Sequence, residues 1–185
     1  MSTEEPASVT LPLPKGVRVS LKDGRVVAEG PSGKVSRPFP GNALGLSIDP
    51  DALRLTLRLP ERKRTGALLG TWKSHLTNLV LGAERGFEAR AKGVAAHFPM
   101  KLSVREGGVV IENFLGEKHP RRSSLVGGTV ATVQGEEVLL EGPDLEAVGQ
   151  SAANLERATH IRNYDPRVFQ DGIYITQKPR PKETP

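Results

Sequence analysis

The sequence predicts an α+β fold of two tandem homologous domains, each an antiparallel sheet packed on one main helix. Three observations carry that prediction. First, RVSLKDGRVVAEGPSGK (18–34) aligns without a gap on KLSVREGGVVIENFLGE (101–117), the kind of internal repeat that sets an architecture. Ser20/Ser103, Gly24/Gly107, Val26/Val109, Val27/Val110, Glu29/Glu112 and Gly33/Gly116 are identical. Arg18/Lys101, Val19/Leu102, Leu21/Val104, Lys22/Arg105 and Asp23/Glu106 are chemically equivalent. Second, a segment with strand character follows each copy. Third, an apolar pattern of helical period follows each of those segments.

The elements follow in order. Residues 1–7 open the chain as a flexible, polar and acidic stretch, MSTEEPA, without the apolar region of a signal peptide. The first repeat is expected at 8–83. Its strand RVSLK turns at Asp23-Gly24, where glycine permits the positive φ of a tight hairpin. A second strand ends at the glycine turn GPSGK. DALRLTLRLP (51–60) alternates strictly: Leu53, Leu55, Leu57 and Leu59 on one face, Arg54, Thr56 and Arg58 on the other. Leu68, Leu69, Trp72, Leu76, Leu79, Val80 and Ala83 then recur at helical spacing.

The second repeat is expected at 84–160, after the short link Glu84-Arg85-Gly86. Its hairpin turns at Glu106-Gly107, and NFLGEK stands as the second copy of GPSGK, hence a hairpin turn. EEVLLEG (136–142) reads as a strand. Asp144 is placed to cap a helix whose apolar face is Leu145, Val148, Ala152 and Leu155. Residues 161–185 are expected as a separate basic extension. Its RVFQDGIYIT forms a turn and a strand, and Lys178, Arg180 and Lys182 follow on an arm that orders only on RNA.

Composition narrows the function. The chain has 185 residues, with apolar residues at 37% and aromatics at 4%, so its cores are aliphatic. A net charge of +5 and a pI near 9.7 favour an anionic partner, nucleic acid first. With no cysteine there is no disulfide, thiolate nucleophile or thiolate metal site. No apolar run has the length of a membrane span, and a cytoplasmic protein is expected. His75, His97, His119 and His160 are scattered without ligand spacing, so no metal site is expected. G-x-S-x-G is absent. GPSGK has neither the spacing of a phosphate-binding loop nor the flanking helices of a KH clamp. No convergent set of carboxylates or histidines suggests an enzyme.

What remains is distributed basicity. One cluster is Arg62-Lys63-Arg64 with Lys73, Arg85, Arg90 and Lys92; the second is Lys118, His119, Arg121 and Arg122. The third is Arg157, His160, Arg162 and Arg167, with Lys178, Arg180 and Lys182 beyond. Any one of these is either a solvated face or a phosphate-binding one. Together, with few aromatics, they fit structured RNA read by shape and phosphate better than single strands held by stacking. Only the second repeat has a dense cationic end after its turn; the first continues as Val35-Ser36-Arg37-Pro38. A protein-interaction module on the same duplicated scaffold is the rival reading.

Four motifs carry a resemblance: Gly70-Thr71-x-Lys73 through Asn78 to Gly86-Phe87; Ala96-His97-Phe98-Pro99; Asn113-Phe114-Leu115-Gly116-Glu117-Lys118; and Arg167-x-Phe169-x-Asp171-Gly172-Ile173-Tyr174-Ile175-x-x-Lys178. With the tandem repeat, they resemble the large-subunit ribosomal protein L-six family, counted L-nine in eukaryotes, in its archaeal and eukaryotic form. The resemblance implies a structural constituent of the large subunit that binds large-subunit rRNA near the sarcin–ricin loop. Neighbouring large-subunit proteins and translational GTPases would lie close by, with no enzyme activity and no cofactor. The implied RNA contacts are Lys118, His119, Arg121, Arg122, Arg157, His160, Arg162, Asn163, Tyr164, Arg167, Lys178, Arg180 and Lys182, with Arg64, Thr71, Lys73, His75 and Asn78 as additional contacts. Tyr164 and His160 are candidates to stack on a base or ribose, with Tyr164 equally a candidate core residue. The family pattern has glutamine where Arg157 stands and a basic residue where Tyr164 stands.

Overall fold

The computed structural model describes residues 7–60, 62–96, 98–161, 165 and 167–183. The chain divides into two compact units, Met1–Arg85 and Gly86–Pro185. The first unit holds β1 (Ser8–Pro12), β2 (Arg18–Lys22), β3 (Arg25–Gly30), β4 (Gly33–Pro38), β5 (Leu44–Ile48), β6 (Ala52–Leu57) and helix α1 (Lys63–Glu84). The second holds β7 (Phe87–Val94), β8 (Lys101–Arg105), β9 (Gly108–Glu112), β10 (Arg121–Ser124), β11 (Val130–Gln134), β12 (Glu137–Gly142), helix α2 (Leu145–Ala158) and β13 (Gly172–Pro181).

The repeat is topological as well as textual. In each unit the strands form two antiparallel sheets rather than one. Sheet order β1-β6-β5 in the first unit matches β7-β12-β11 in the second, and β2-β3-β4 matches β8-β9-β10. The two predicted hairpins share one turn. Asp23 and Gly24 have φ of 50° and 69°, and Glu106 and Gly107 have 49° and 71°. Positive φ at both central residues is the two-residue turn whose twist matches the strands it joins.

Packing follows the predicted faces except at Leu59, which lies beyond β6 and is 42% exposed. Leu53, Leu55 and Leu57 of β6 are buried, as are Leu69, Trp72, Leu76, Leu79, Val80 and Ala83 of α1. Trp72 meets the ring of Phe39 edge-on at 5.0 Å. In the second unit, Val148, Ala152 and Leu155 of α2 are fully buried, with Ala89, Val138, Leu140 and Ile173 also in the core. Asp144 caps α2, its Oδ1 accepting from the Glu146 amide at 2.9 Å, and Arg157 in the last turn complements the helix dipole.

The stretch from 161 departs from expectation. It is not a separate extension, and Lys178 and Arg180 do not ride on a free arm. Ten residues, Gly172–Pro181, form β13, antiparallel to the outer edge of β7. The pairing slips between Ile175 and Gln177 and again between Gln177 and Arg180. Pro179 and Pro181 are tolerated because β13 is an edge strand, where a missing N–H leaves no ladder bond broken. Ile173 supplies an apolar anchor, 2% exposed. The flexible opening expected at 1–7 falls, for 1–6, outside the described residues.

Candidate nucleic-acid interface

The segment 113–122 is not the tight hairpin that its alignment with GPSGK implies. In the first unit Gly30 stands opposite Gly33 across a two-residue turn. In the second unit Asn113–Pro120 intervene, and Val110 pairs with Arg122 where Val27 pairs with Ser36, so this copy carries three extra residues. They fold as a 3-10 turn over Phe114–Gly116 with three positive φ values, at Asn113 (60°), Leu115 (51°) and Gly116 (77°). A branched residue such as Leu115 enters that region only when its surroundings hold it there. Phe114, 2% exposed, anchors the turn, and Asn113 Nδ2 donates to the Pro99 carbonyl at 3.0 Å.

The inserted residues change what Arg121 does. By sheet register it takes the place of Val35, a core residue of the first unit. Its guanidinium reaches the C-terminal end of α2, where Nη1 donates to the carbonyls of Ala158 at 2.9 Å and His160 at 3.2 Å. Nε and Nη2 grip Glu117 at 2.8 and 2.6 Å, a two-point pair. The cation also lies over the Phe114 ring, 4.3 Å from its centroid. Hydrogen bonding from Arg121 holds the Glu117 carboxyl below the usual carboxylate range, against an opposing contribution from burial. Arg121 was expected to meet phosphate; the structure makes it an internal clasp between the turn and α2.

Lys118 and His119 are exposed in the segment that leads from this turn to Arg121, and Arg157 and His160 are exposed at the end of α2 that Arg121 reaches. Arg122 is exposed on β10, where Nη1 lies 3.7 Å from a Glu106 carboxylate oxygen. Arg167 and Lys178 are exposed too, and Lys118, Arg157, Arg167 and Lys178 make no ion pair among the described residues. Two expected contacts are engaged by carboxylates. Arg180 Nη2 bonds Glu88 at 3.1 Å, and Lys182 Nζ bonds Glu141 at 2.5 Å. The Glu88 carboxyl is held below its ordinary range chiefly by a hydrogen bond from Gln177, with Arg180 adding to it against burial. Arg162, Asn163 and Tyr164 lie outside the described residues.

The five additional candidates belong to the first unit. Arg64, Thr71 and Lys73 are exposed on α1, and Thr71 Oγ1 donates to the Ala67 carbonyl at 3.0 Å. His75 is half-buried, edge-on to Trp72 at 5.5 Å and 3.0 Å from Nη1 of Arg37. Asn78 is half-buried. In this unit Lys34 pairs with Glu29 at 2.6 Å. Among the described residues no three carboxylates or histidines gather as a metal site, and no helix is long and apolar enough to cross a membrane.

Comparison with known proteins bears on this basic, two-unit scaffold. A model of the family described as ribosomal protein L6 matches residues 98–172, which span the turn, the clasp and α2. A large ribosomal subunit protein uL6 from Methanobrevibacter smithii is 44% identical over 166 residues, covering 90% of this chain and 93% of that protein. The chain belongs to the ribosomal protein L6 family. Proteins of the same description from Methanosarcina mazei and Archaeoglobus fulgidus are 43% and 39% identical, covering 91% and 96% of this chain and 96% and 93% of their own lengths. This is a family of structural ribosomal proteins and not of enzymes.

Two features of the surface were invisible to sequence reasoning. One is the counter-ion role of Glu117, which depends on the inserted turn. The other is the display of Tyr174, whose neighbours come from β13 and from the end of α2. Only the exchange of Val35 for Arg121 between copies signals the first, and reading it requires knowing where the extra residues fall.

Proposed function

We propose that this protein is a structural constituent of the large ribosomal subunit, working in the cytoplasm, and that its second unit binds large-subunit rRNA. The observation that carries the reading is a set of exposed basic residues on elements that Arg121 ties together: Lys118 and His119 in the segment between the turn and Arg121, and Arg157 and His160 at the end of α2, with Arg122 exposed on the other face of β10. Arginines there suit two-point phosphate contacts, and Lys118 acts as a point charge. On this reading the rRNA partner lies in the sarcin–ricin region, close to where translational GTPases dock, as the family resemblance implies. Other large-subunit proteins are its neighbours.

The test is sedimentation of cell lysate followed by binding of the purified chain to large-subunit rRNA. The protein is expected to travel with the large subunit through moderate salt. With about five phosphates neutralised, the logarithm of affinity should fall with the logarithm of salt at a slope of about −4 to −5. Replacing Lys118 and Arg122 with alanine should flatten that slope by about 2, while Lys34→Ala should leave it unchanged. A slope near −1, or equal losses from the two sets, would overturn the reading. Sedimentation at the top of the gradient would favour the protein-module alternative.

A further inference from the structure

Beside the cationic end of α2 the second unit has a recess of about 430 Å³. Its floor is the buried pair Thr159 and Ile173. There the Thr159 hydroxyl accepts from the Ile173 amide at 2.9 Å, so that amide needs nothing from a ligand. Phe169 and Tyr174 line its sides, together with Arg157 and His160. The size falls within the range of about 300–1,000 Å³ typical of small-ligand sites, too small for a helix of RNA or protein.

Tyr174 is the unusual member. It is 46% exposed in a chain with few aromatic residues, yet it is held still. Its hydroxyl donates to the Gln170 carbonyl at 3.0 Å. Its ring lies so close over Gly172 that a Cβ there would meet Cε2, Cζ and Oη at 3.3 Å. An immobilised, displayed aromatic ring beside an arginine is the arrangement that recognises a base splayed out of its stack.

We propose that this recess takes one unstacked nucleobase of the bound RNA, stacked on the Tyr174 ring, with Arg157 and His160 on the phosphate next to it. The proposal rests on the rRNA-binding reading and adds to it a single-base contact within recognition that otherwise depends on shape and phosphate.

The test uses the full chain and purified large-subunit rRNA, with affinity measured against potassium chloride and unpaired bases mapped by chemical modification. The wild-type chain should protect one unpaired base. Tyr174→Ala should bind about tenfold to a hundredfold more weakly, lose that protection, and keep the wild-type salt slope, because stacking neutralises no phosphate. Tyr174→Leu keeps apolar bulk on β13 if the alanine variant folds poorly, and it should lose the same protection. Tyr174→Phe should retain both affinity and protection. Lys118→Ala is the contrasting variant: it should flatten the slope by about 0.9 and leave the protected base protected. Tyr174→Leu with wild-type affinity and footprint overturns the base site while leaving the rRNA reading intact. A wild-type chain that binds this rRNA no better than unrelated RNA overturns both.

Discussion

Replacing Arg121 with alanine should destabilise the second unit by about 2 kcal/mol, and the structure says why. Four interactions disappear. The bond to the Ala158 carbonyl is part-buried and charge-assisted, worth about 1.5 kcal/mol; the one to the exposed His160 carbonyl is worth about 0.5 because water replaces it. The contact over Phe114 adds about 0.5–1 kcal/mol. The pair with Glu117 adds at most about 1, since both side chains are partly exposed. Against this gross figure of about 3–4 stands about 1.5–2 kcal/mol of rotamer entropy that alanine does not lose. Native-state hydrogen exchange suits the measurement, because the opening free energy of the β9 and β10 amides reports on the second unit by itself. The loss should depend on pH. Glu117 has its folded pKa depressed by Arg121, so its contribution is complete above the ordinary glutamate value of about 4.3 and disappears as pH falls through the lower folded value. The variant should therefore be penalised more at pH 7 than at pH 3, by up to about 1 kcal/mol. Arg121→Lys keeps the charge without the fork and should recover less than half of the loss. A loss below about 0.5 kcal/mol at pH 7 would refute the clasp, because even the low gross figure of about 3 less about 2 of rotamer entropy leaves about 1.

Two further outcomes follow from the packing. A Cβ added at Gly30 would stand 2.5 Å from the Ala83 carbonyl oxygen, so Gly30→Ala should force the end of α1 away from β3 and lower stability by about 1–3 kcal/mol, read as an earlier change in Trp72 fluorescence on urea unfolding. Glu88 ties β13 to β7 through Gln177 and Arg180, and its depressed pKa means this tie is complete above about pH 4.3 and lost below the folded value; protection of the β13 amides, relative to their intrinsic exchange rates, should therefore fall in acid, and Glu88→Gln should remove that loss.

The parts of the fold set by local chemistry were legible from the residues. The Asp23-Gly24 and Glu106-Gly107 turns, the alternation of β6, the buried stripe of α1 and the Asp144 cap each depend on neighbours within a few positions, and each is where the pattern puts it. Long-range relations were not. The repeat aligns without a gap as far as Glu117, so nothing in the letters shows that β10 pairs three residues later than β4 does. That shift turned an expected phosphate ligand, Arg121, into a clasp. Likewise the prolines and cations of 178–182 read as an unfolded tail, because the edge of β7 that makes them a strand lies far away in sequence. Of the interface, the exposed cations Lys118, Arg122 and Arg157 were legible as charge; the arrangement that brings the turn against the end of α2 was not.

The pairing of β13 with β7 also bears on how the chain is made. Thr176 and its β7 partner Arg90 are 86 residues apart, so at about 5–20 residues per second several seconds pass between the synthesis of the two strands. Throughout that interval the outer edge of β7 has no neighbour to pair with, while the first unit, whose strands and helix all precede it, is already complete in sequence. Arg90 and Lys92 are exposed on that waiting strand, and charge on an unpaired edge discourages a second nascent chain from adding itself there. The same two cations that decorate the finished sheet are thus expected to guard its edge during translation, and the long separation of this last pairing predicts that it forms after β7, β12 and β11 have joined.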